Sequence, residues 1–202
     1  MLNSRLESFF DDLAPRWDET AKHDPIKLRD IFTIIDLKKG DAVLDVGTGT
    51  GVILPLIGDA VGNTGAIDAV DISSQMLGIS KSKNKNKNIT FIHADATTLD
   101  VKSNYDAIIC YSMFPHFDNK CFAIDKLSLM LKLKGKLVIC HSQSRNDINS
   151  MHKKAGQDVN KDLLPSGEEV AKMMIKSGLK ILKVVDSHEI YLVMGEKPDV
   201  TL

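Results

Sequence analysis

The sequence predicts an α/β protein: a doubly wound, mostly parallel seven-stranded sheet in a three-layer α/β/α arrangement. Two observations carry this expectation. Apolar runs of strand length alternate with helix-period patterns along the chain, as in βαβ units with right-handed crossovers. The first of those strands, ending Val43-Leu44-Asp45-Val46, breaks into glycines at alternate positions, Gly47, Gly49 and Gly51, and a helical pattern follows at once. Strand, glycine loop and helix in that order let backbone N–H groups come close to a ligand, because glycine has no side chain to hold it away.

Residues 9–18 read as a short aromatic-bearing helix within an N-terminal segment, 1–24, ahead of a single domain spanning 25–202. Asp24 and Pro25 make a helix start, a cap followed by proline at the first helical position. Leu28, Ile31, Phe32 and Ile35 line one face of that helix, and Lys38-Lys39-Gly40-Asp41 leads from it into the first strand. Val52, Ile53, Leu56 and Ile57 recur at helical spacing after the glycines. Asn63-Thr64-Gly65 is a turn, and Ser73-Ser74 caps a helix starting at Gln75 and Met76. Asp118 is read as the cap of another helix, whose stripe is Ile124, Leu127 and Leu131.

The C-terminal part departs from simple alternation. Ser144-Arg145-Asn146-Asp147 opens a short helix expected to run to Ala155 and stop at Gly156, with a loop over 157–164. Pro165-Ser166-Gly167-Glu168-Glu169 opens a second one, carrying Val170, Met173 and Met174 on one face and ending at Gly178. Two strands, over 180–186 and 189–195, are then joined tightly at Ser187-His188.

Composition narrows the function. A formal charge of −1 supplies no overall attraction for nucleic acid or an anionic membrane. No apolar run approaches a membrane span, and the first residues lack a signal-like core. Cys110, Cys121 and Cys140 are widely spaced and odd in number, which suits reduced thiols in a cytoplasmic protein. Lys81, Lys83, Lys85 and Lys87 alternate with serine and asparagine and no aromatic residue, the pattern of a solvated loop rather than of a single-strand binding groove.

Two cofactor readings compete for the glycine turn. A dinucleotide fingerprint needs G-x-G-x-x-G, but the position of its last glycine is Val52 here. Asp45 also puts a carboxylate at an otherwise apolar strand end, where it is costly without a partner. It suits a ligand with a cationic amine and would repel a pyrophosphate. The turn therefore points away from nicotinamide dinucleotides and towards a nucleoside that bears an amino acid.

The stretch Val43-Leu44-Asp45-Val46-Gly47-Thr48-Gly49-Thr50-Gly51 resembles motif I of the class I S-adenosylmethionine-dependent methyltransferases, whose sheet is Rossmann-like. Later segments resemble the family in register. Residues 65–73 are similar to its second strand, with Asp71 at the place of the acid that binds the ribose hydroxyls. Residues 91–96 resemble the third, with Asp95 where the adenine amine is met. Residues 105–110 and 135–139 resemble the fourth and fifth strands. The resemblance further implies a closing hairpin with one antiparallel strand. It also implies S-adenosylmethionine as cofactor, a small-molecule acceptor, and donor contacts from Thr48, Gly51, Ile72, Met76, Ala96 and Cys110.

Methyl transfer asks chiefly for alignment, and for a general base only if the acceptor is protonated. The candidates are His116, just past the fourth strand; His141, ending the fifth; and His152, expected on one helix face with Arg145 and Asn149. Arg145, Asn149 and Trp17 are the candidate substrate contacts. No histidine or cysteine pair has the spacing of a structural zinc site, so no metal is expected. His93 is expected simply to pack within the third strand. Phe9, Phe10, Arg16 and Trp17 form either a lid over the donor or a docked helix. The rival functions are a non-catalytic S-adenosylmethionine-binding partner protein and, further off, a nicotinamide oxidoreductase. A nucleic-acid methyltransferase lacks support, since Tyr111-Ser112-Met113-Phe114 does not resemble the motif that grips a flipped base. The acceptor's identity and the oligomeric state stay open.

Overall fold

The computed structural model describes residues 4–155 and 159–199. Its strands follow the order β3-β2-β1-β4-β5-β7-β6 in a seven-stranded, mostly parallel sheet, with helices on both sides and an antiparallel C-terminal hairpin. This is the expected fold class. The chain divides into two compact units, residues 1–100 and 101–202.

In the first unit, β1 (Ala42–Val46), β2 (Ala66–Asp71) and β3 (Ile89–His93) run parallel, with Val46 opposite Val70 and Asp71 opposite His93. Val43, Leu44 and Val46 of β1 are buried, as a strand covered on both faces requires. The crossovers are α4 (Leu54–Val61) and α5 (Ser74–Lys83). Ahead of them lie α1 (Ser4–Leu13), a single 3-10 turn, α2 (Trp17–Thr20) and α3 (Pro25–Ile35). Asp24 caps α3 as expected, its Oδ1 accepting from the amides of Ile26 and Lys27, and Leu28, Ile31 and Ile35 are buried.

The second unit contains β4 (Tyr105–Tyr111), α6 (Lys120–Met130), β5 (Leu131–His141), α7 (Arg145–Lys154), α8 (Gly167–Lys176), β6 (Lys180–Asp186) and β7 (Tyr191–Glu196). β5 runs parallel to β4, and β7 lies antiparallel to both β5 and β6. Ser166 and Glu169 form the expected capping box at α8.

Several boundaries differ from the sequence reading. The helix after the glycines begins at Leu54, because residues 50–53 complete the turn. Asn119, not Asp118, caps α6: its side chain accepts from the amide of Phe122. Leu131 opens β5 rather than extending the helical stripe. Lys81 and Lys83 belong to the last turn of α5, where cations complement the helix dipole, so the lysine run is not all loop. Gly156 and Gln157 lie outside the described residues.

Candidate functional site

The glycine turn leaves β1 with Gly47, Gly49 and Gly51 all at positive φ, of 67°, 54° and 83°. That region is strained for residues with a Cβ, which explains three glycines at alternate positions. Gly51 also needs the space, since a Cβ there would lie 2.4 Å from Ser80 Oγ and 2.6 Å from Asn84 Nδ2. The turn is held from β2: Gly49 donates its amide hydrogen to Asp71 Oδ2 at 2.7 Å, while Ser73 donates to Oδ1 at 2.8 Å. Burial pushes the Asp71 carboxyl up, and these amide donors oppose that.

Asp45, at 1% exposure, is a different case. Its Oδ2 and the nearby Thr48 Oγ1 are buried with no hydrogen-bond partner. Burial pushes the Asp45 carboxyl up to about 7, opposed by the Thr48 hydroxyl beside it, which falls short of a well-formed hydrogen bond, and aided by the charge of Asp71. A buried carboxylate oxygen without a donor is costly, and a bound cation would relieve that cost. Of the other expected donor contacts, Ile72, Met76, Asp95 and Ala96 lie in the same unit, whereas Cys110 belongs to the second. Met76 is buried with its amide on the capping Ser73 hydroxyl, and Ala96 is buried. Ile72 offers its carbonyl to His93 Nε2 at 2.9 Å. Asp95 caps a 3-10 turn, its Oδ1 accepting from both the amide and the hydroxyl of Thr97. His93 is exposed rather than packed, and its ring lies 3.5 Å from Glu7.

The N-terminal helices are tied to this turn. Thr50 Oγ1 donates to Asp18 Oδ1 at 2.6 Å, and Lys83 reaches the same carboxylate at 2.8 Å. Ser73 Oγ donates to Asp11 Oδ1 at 2.6 Å, and the amide of Gln75 shares that oxygen. The Trp17 indole nitrogen lies 3.9 Å from where a Cβ on Gly49 would sit. Sequence reasoning singled out Trp17 but missed Asp11 and Asp18. Asp11 belongs to α1 and Asp18 to α2, with a 3-10 turn between them, so no single helical period marks the pair.

In the second unit the three candidate histidines gather. The His116 and His152 ring centroids are 5.0 Å apart. His116 Nδ1 pairs with Asp162 Oδ2 at 2.9 Å, and His152 Nδ1 donates to the backbone carbonyl of Asp162. His141, at 1% exposure, has neither ring nitrogen partnered, and its ring packs edge-on to Tyr191 at 5.9 Å. Burial first, then the repulsion a protonated His152 or His116 would exert, push its pKa down to about 3. Burial also lowers that of His152. Among the described residues no group of three His, Cys, Asp or Glu is placed to hold a metal ion.

Arg145 and Asn149 sit otherwise than side by side with His152 on an open face. Arg145 Nε pairs with Asp186 Oδ2 at 3.0 Å. Asn149 commits both ends of its amide to the backbone of Leu164, accepting at 2.7 Å and donating at 3.1 Å. α7 buries Ile148 and His152 while Met151 is half exposed, so His152 belongs to the packed face. Cys110 is buried in β4.

Residues 43–135 match the model of the methyltransferase domain family. That stretch, just under half of the chain, is similar to the methyltransferase domains of S-adenosylmethionine-dependent enzymes. Among its relatives is the ubiquinone/menaquinone biosynthesis C-methyltransferase UbiE of Francisella philomiragia, 33% identical over 108 residues, which are 51% of this chain and 43% of that protein. The malonyl-[acyl-carrier protein] O-methyltransferase of Priestia megaterium is 34% identical over 97 residues, 48% of this chain and 35% of that one. The chain thus spans less than half the length of either relative. A solved S-adenosylmethionine-dependent methyltransferase from Aquifex aeolicus shares the fold, with a TM-score of 0.69 at 22% identity over 95% of this chain and 98% of that one.

The matched residues of the methyltransferase domain run from β1 to Gly135. They contain Asp45, the glycine turn, Asp71, Asp95 and His116, but not His141, His152 or Asp162. Asp162 is the partner of two candidate histidines that sequence reasoning missed in this unit. It lies in a stretch read only as loop, where no periodicity marks a polar side chain for a role.

Proposed function

We propose that this protein is an enzyme that transfers a methyl group from S-adenosylmethionine to a small-molecule acceptor. The observation that carries the reading is the Asp45 Oδ2, buried without a hydrogen-bond donor, beside a turn of three positive-φ glycines. A dinucleotide's pyrophosphate would bring negative charge to Asp45, whereas the donor's ammonium group would bring the missing partner. When bound, the donor supplies a methyl carbon already activated on a sulfonium, whose sulfur leaves with the bonding electron pair as a neutral thioether.

The chain's own residues do the holding. Gly47, Gly49 and Gly51 let the donor approach the backbone. Asp45 takes the ammonium. Asp71 keeps lone pairs beyond its two amide donors, enough to accept from ribose hydroxyls, and Asp95, Ile72, Met76 and Ala96 line the nucleoside. Thr48 Oγ1, buried beside Asp45, meets a polar group of the donor. The strap of α1 and α2, through Trp17, covers the turn. His116, His141 and His152 serve the acceptor, while Arg145 and Asn149 position the segment around them through Asp186 and Leu164. A small-molecule acceptor is supported by relatives named for quinone biosynthesis. Among the described residues no helix is long and apolar enough to cross a membrane.

Isothermal calorimetry with S-adenosylmethionine, its demethylated product and NAD tests the reading. Binding of the first two in the low-micromolar range, about −8 kcal/mol, supports it. Binding of NAD alone would overturn it.

A further inference from the structure

One residue fixes two of the three histidines. Asp162 accepts from His116 through its carboxylate and from His152 through its carbonyl. A neutral imidazole that donates through Nδ1 carries its lone pair on Nε2, so both tautomers are set by Asp162. The two partners differ in what they support. A carboxylate stabilises the imidazolium formed when His116 takes a proton, as a buried aspartate does for a catalytic histidine. A carbonyl gives His152 only a neutral anchor, and burial holds that ring uncharged. The His116 and Asp162 side chains are 12% and 13% exposed, enclosed enough for the pairing to persist.

Beside them stand polar groups that packing does not explain. Both His141 nitrogens and the Tyr191 hydroxyl are buried without partners, in rings that touch. Burial keeps His141 neutral and pushes the Tyr191 phenol up, so each retains a neutral hydrogen to donate. Such orphans are costly unless a ligand satisfies them. Two neutral donors suit an oxygen on which negative charge develops.

We propose that Asp162 and His116 form a proton-accepting dyad, with Asp162 as positioning residue, and that its substrate is a weakly acidic hydroxyl compound of the phenol or enol class whose oxygen region meets His141 and Tyr191. This rests on the methyltransferase reading. The acceptor's O–H bond breaks, the proton goes to Nε2 of His116, and the electron pair stays on oxygen, which becomes the nucleophile. His116 then releases the proton to water. A carboxylate acceptor would need no base at neutral pH. An ammonium acceptor would bring a positive charge to a cluster whose burial already holds His141 and His152 uncharged.

The test uses the whole chain with the demethylated donor bound and para-nitrophenol as probe, its phenolate read by absorbance. The wild-type protein is expected to raise the phenolate-to-phenol ratio of bound probe, and H116Q and D162A to lower that ratio about tenfold, one pKa unit. Long-range proton–nitrogen NMR of the wild-type protein is expected to show His116 with hydrogen on Nδ1, which needs no variant to fold. Equal ratios in all three proteins, failure of the probe to bind, or a His116 hydrogen on Nε2 would each overturn the dyad. Calorimetry with S-adenosylmethionine on the same preparation separates the two ideas. Donor binding without probe ionisation sinks the dyad alone, and absence of donor binding sinks the methyltransferase reading.

Discussion

Asp71 accepts the amide hydrogen of Gly49 at 2.7 Å, so the carboxylate ending β2 holds the turn that leaves β1. The acid expected to bind ribose also fixes the shape of the loop it shares the site with. Its two oxygens are already used by Gly49 and Ser73, which makes it a structural brace before any ligand arrives.

Asp71→Ala should therefore lose on two counts. Affinity for S-adenosylmethionine, measured by calorimetry, is expected to fall by about 2 to 3 kcal/mol, since charged hydrogen bonds are lost and the amides of Ser73, buried, and Gly49, part-buried, are left unpaired. The melting temperature should fall as well. Unchanged affinity would show that Asp71 only braces the turn.

Asp45 gives a pH dependence with a definite sign. Its folded pKa is raised from the ordinary 3.8 to about 7. Between those values the native state holds a proton that the unfolded chain has lost, so stability falls as pH rises through that window. Asp45→Asn should flatten the decline and melt higher than the parent at pH 8 without ligand. The same variant should bind the donor more weakly, because the ammonium loses its charged neighbour. A variant less stable than the parent at pH 8 would contradict this account of the buried charge.

The glycines allow a paired comparison by denaturant titration. Gly51→Ala places a methyl group 2.4 Å from Ser80 Oγ at a φ of 83° and should destabilise the protein by about 1 to 3 kcal/mol. Gly78→Ala, within α5 with nothing within 4 Å of the added Cβ, should stabilise it by about 0.5 to 1 kcal/mol. Opposite signs are the expected outcome, and equal effects would mean that the turn tolerates a side chain.

Trp17 is the sole tryptophan and sits against Gly49, so it reports on the strap. Titrating the demethylated donor should shift or quench its fluorescence, and Asp18→Ala, which cuts the tie to Thr50, should reduce that response. No change on saturation would mean that α2 is a docked helix and not a cover.

The sequence alone determined the order of strands and helices, the glycine turn and the acids at the strand ends. These features are local: a strand, a cap or a positive-φ glycine leaves its mark within a few neighbouring residues. Asp24 at α3 and the Ser166–Glu169 box needed no tertiary information. What joins distant parts of the chain left no such mark. The sequence separations of 46 from His116 to Asp162 and of 62 from Asp11 to Ser73 are closed by packing, and no periodicity encodes either pair. The same holds for burial. Asn149 and His152 were expected to share an open polar face, but whether a polar side chain meets solvent, a backbone or a buried cluster depends on what the rest of the fold lays against it. Only the tertiary structure left His141 without a partner and gave Asp162 two.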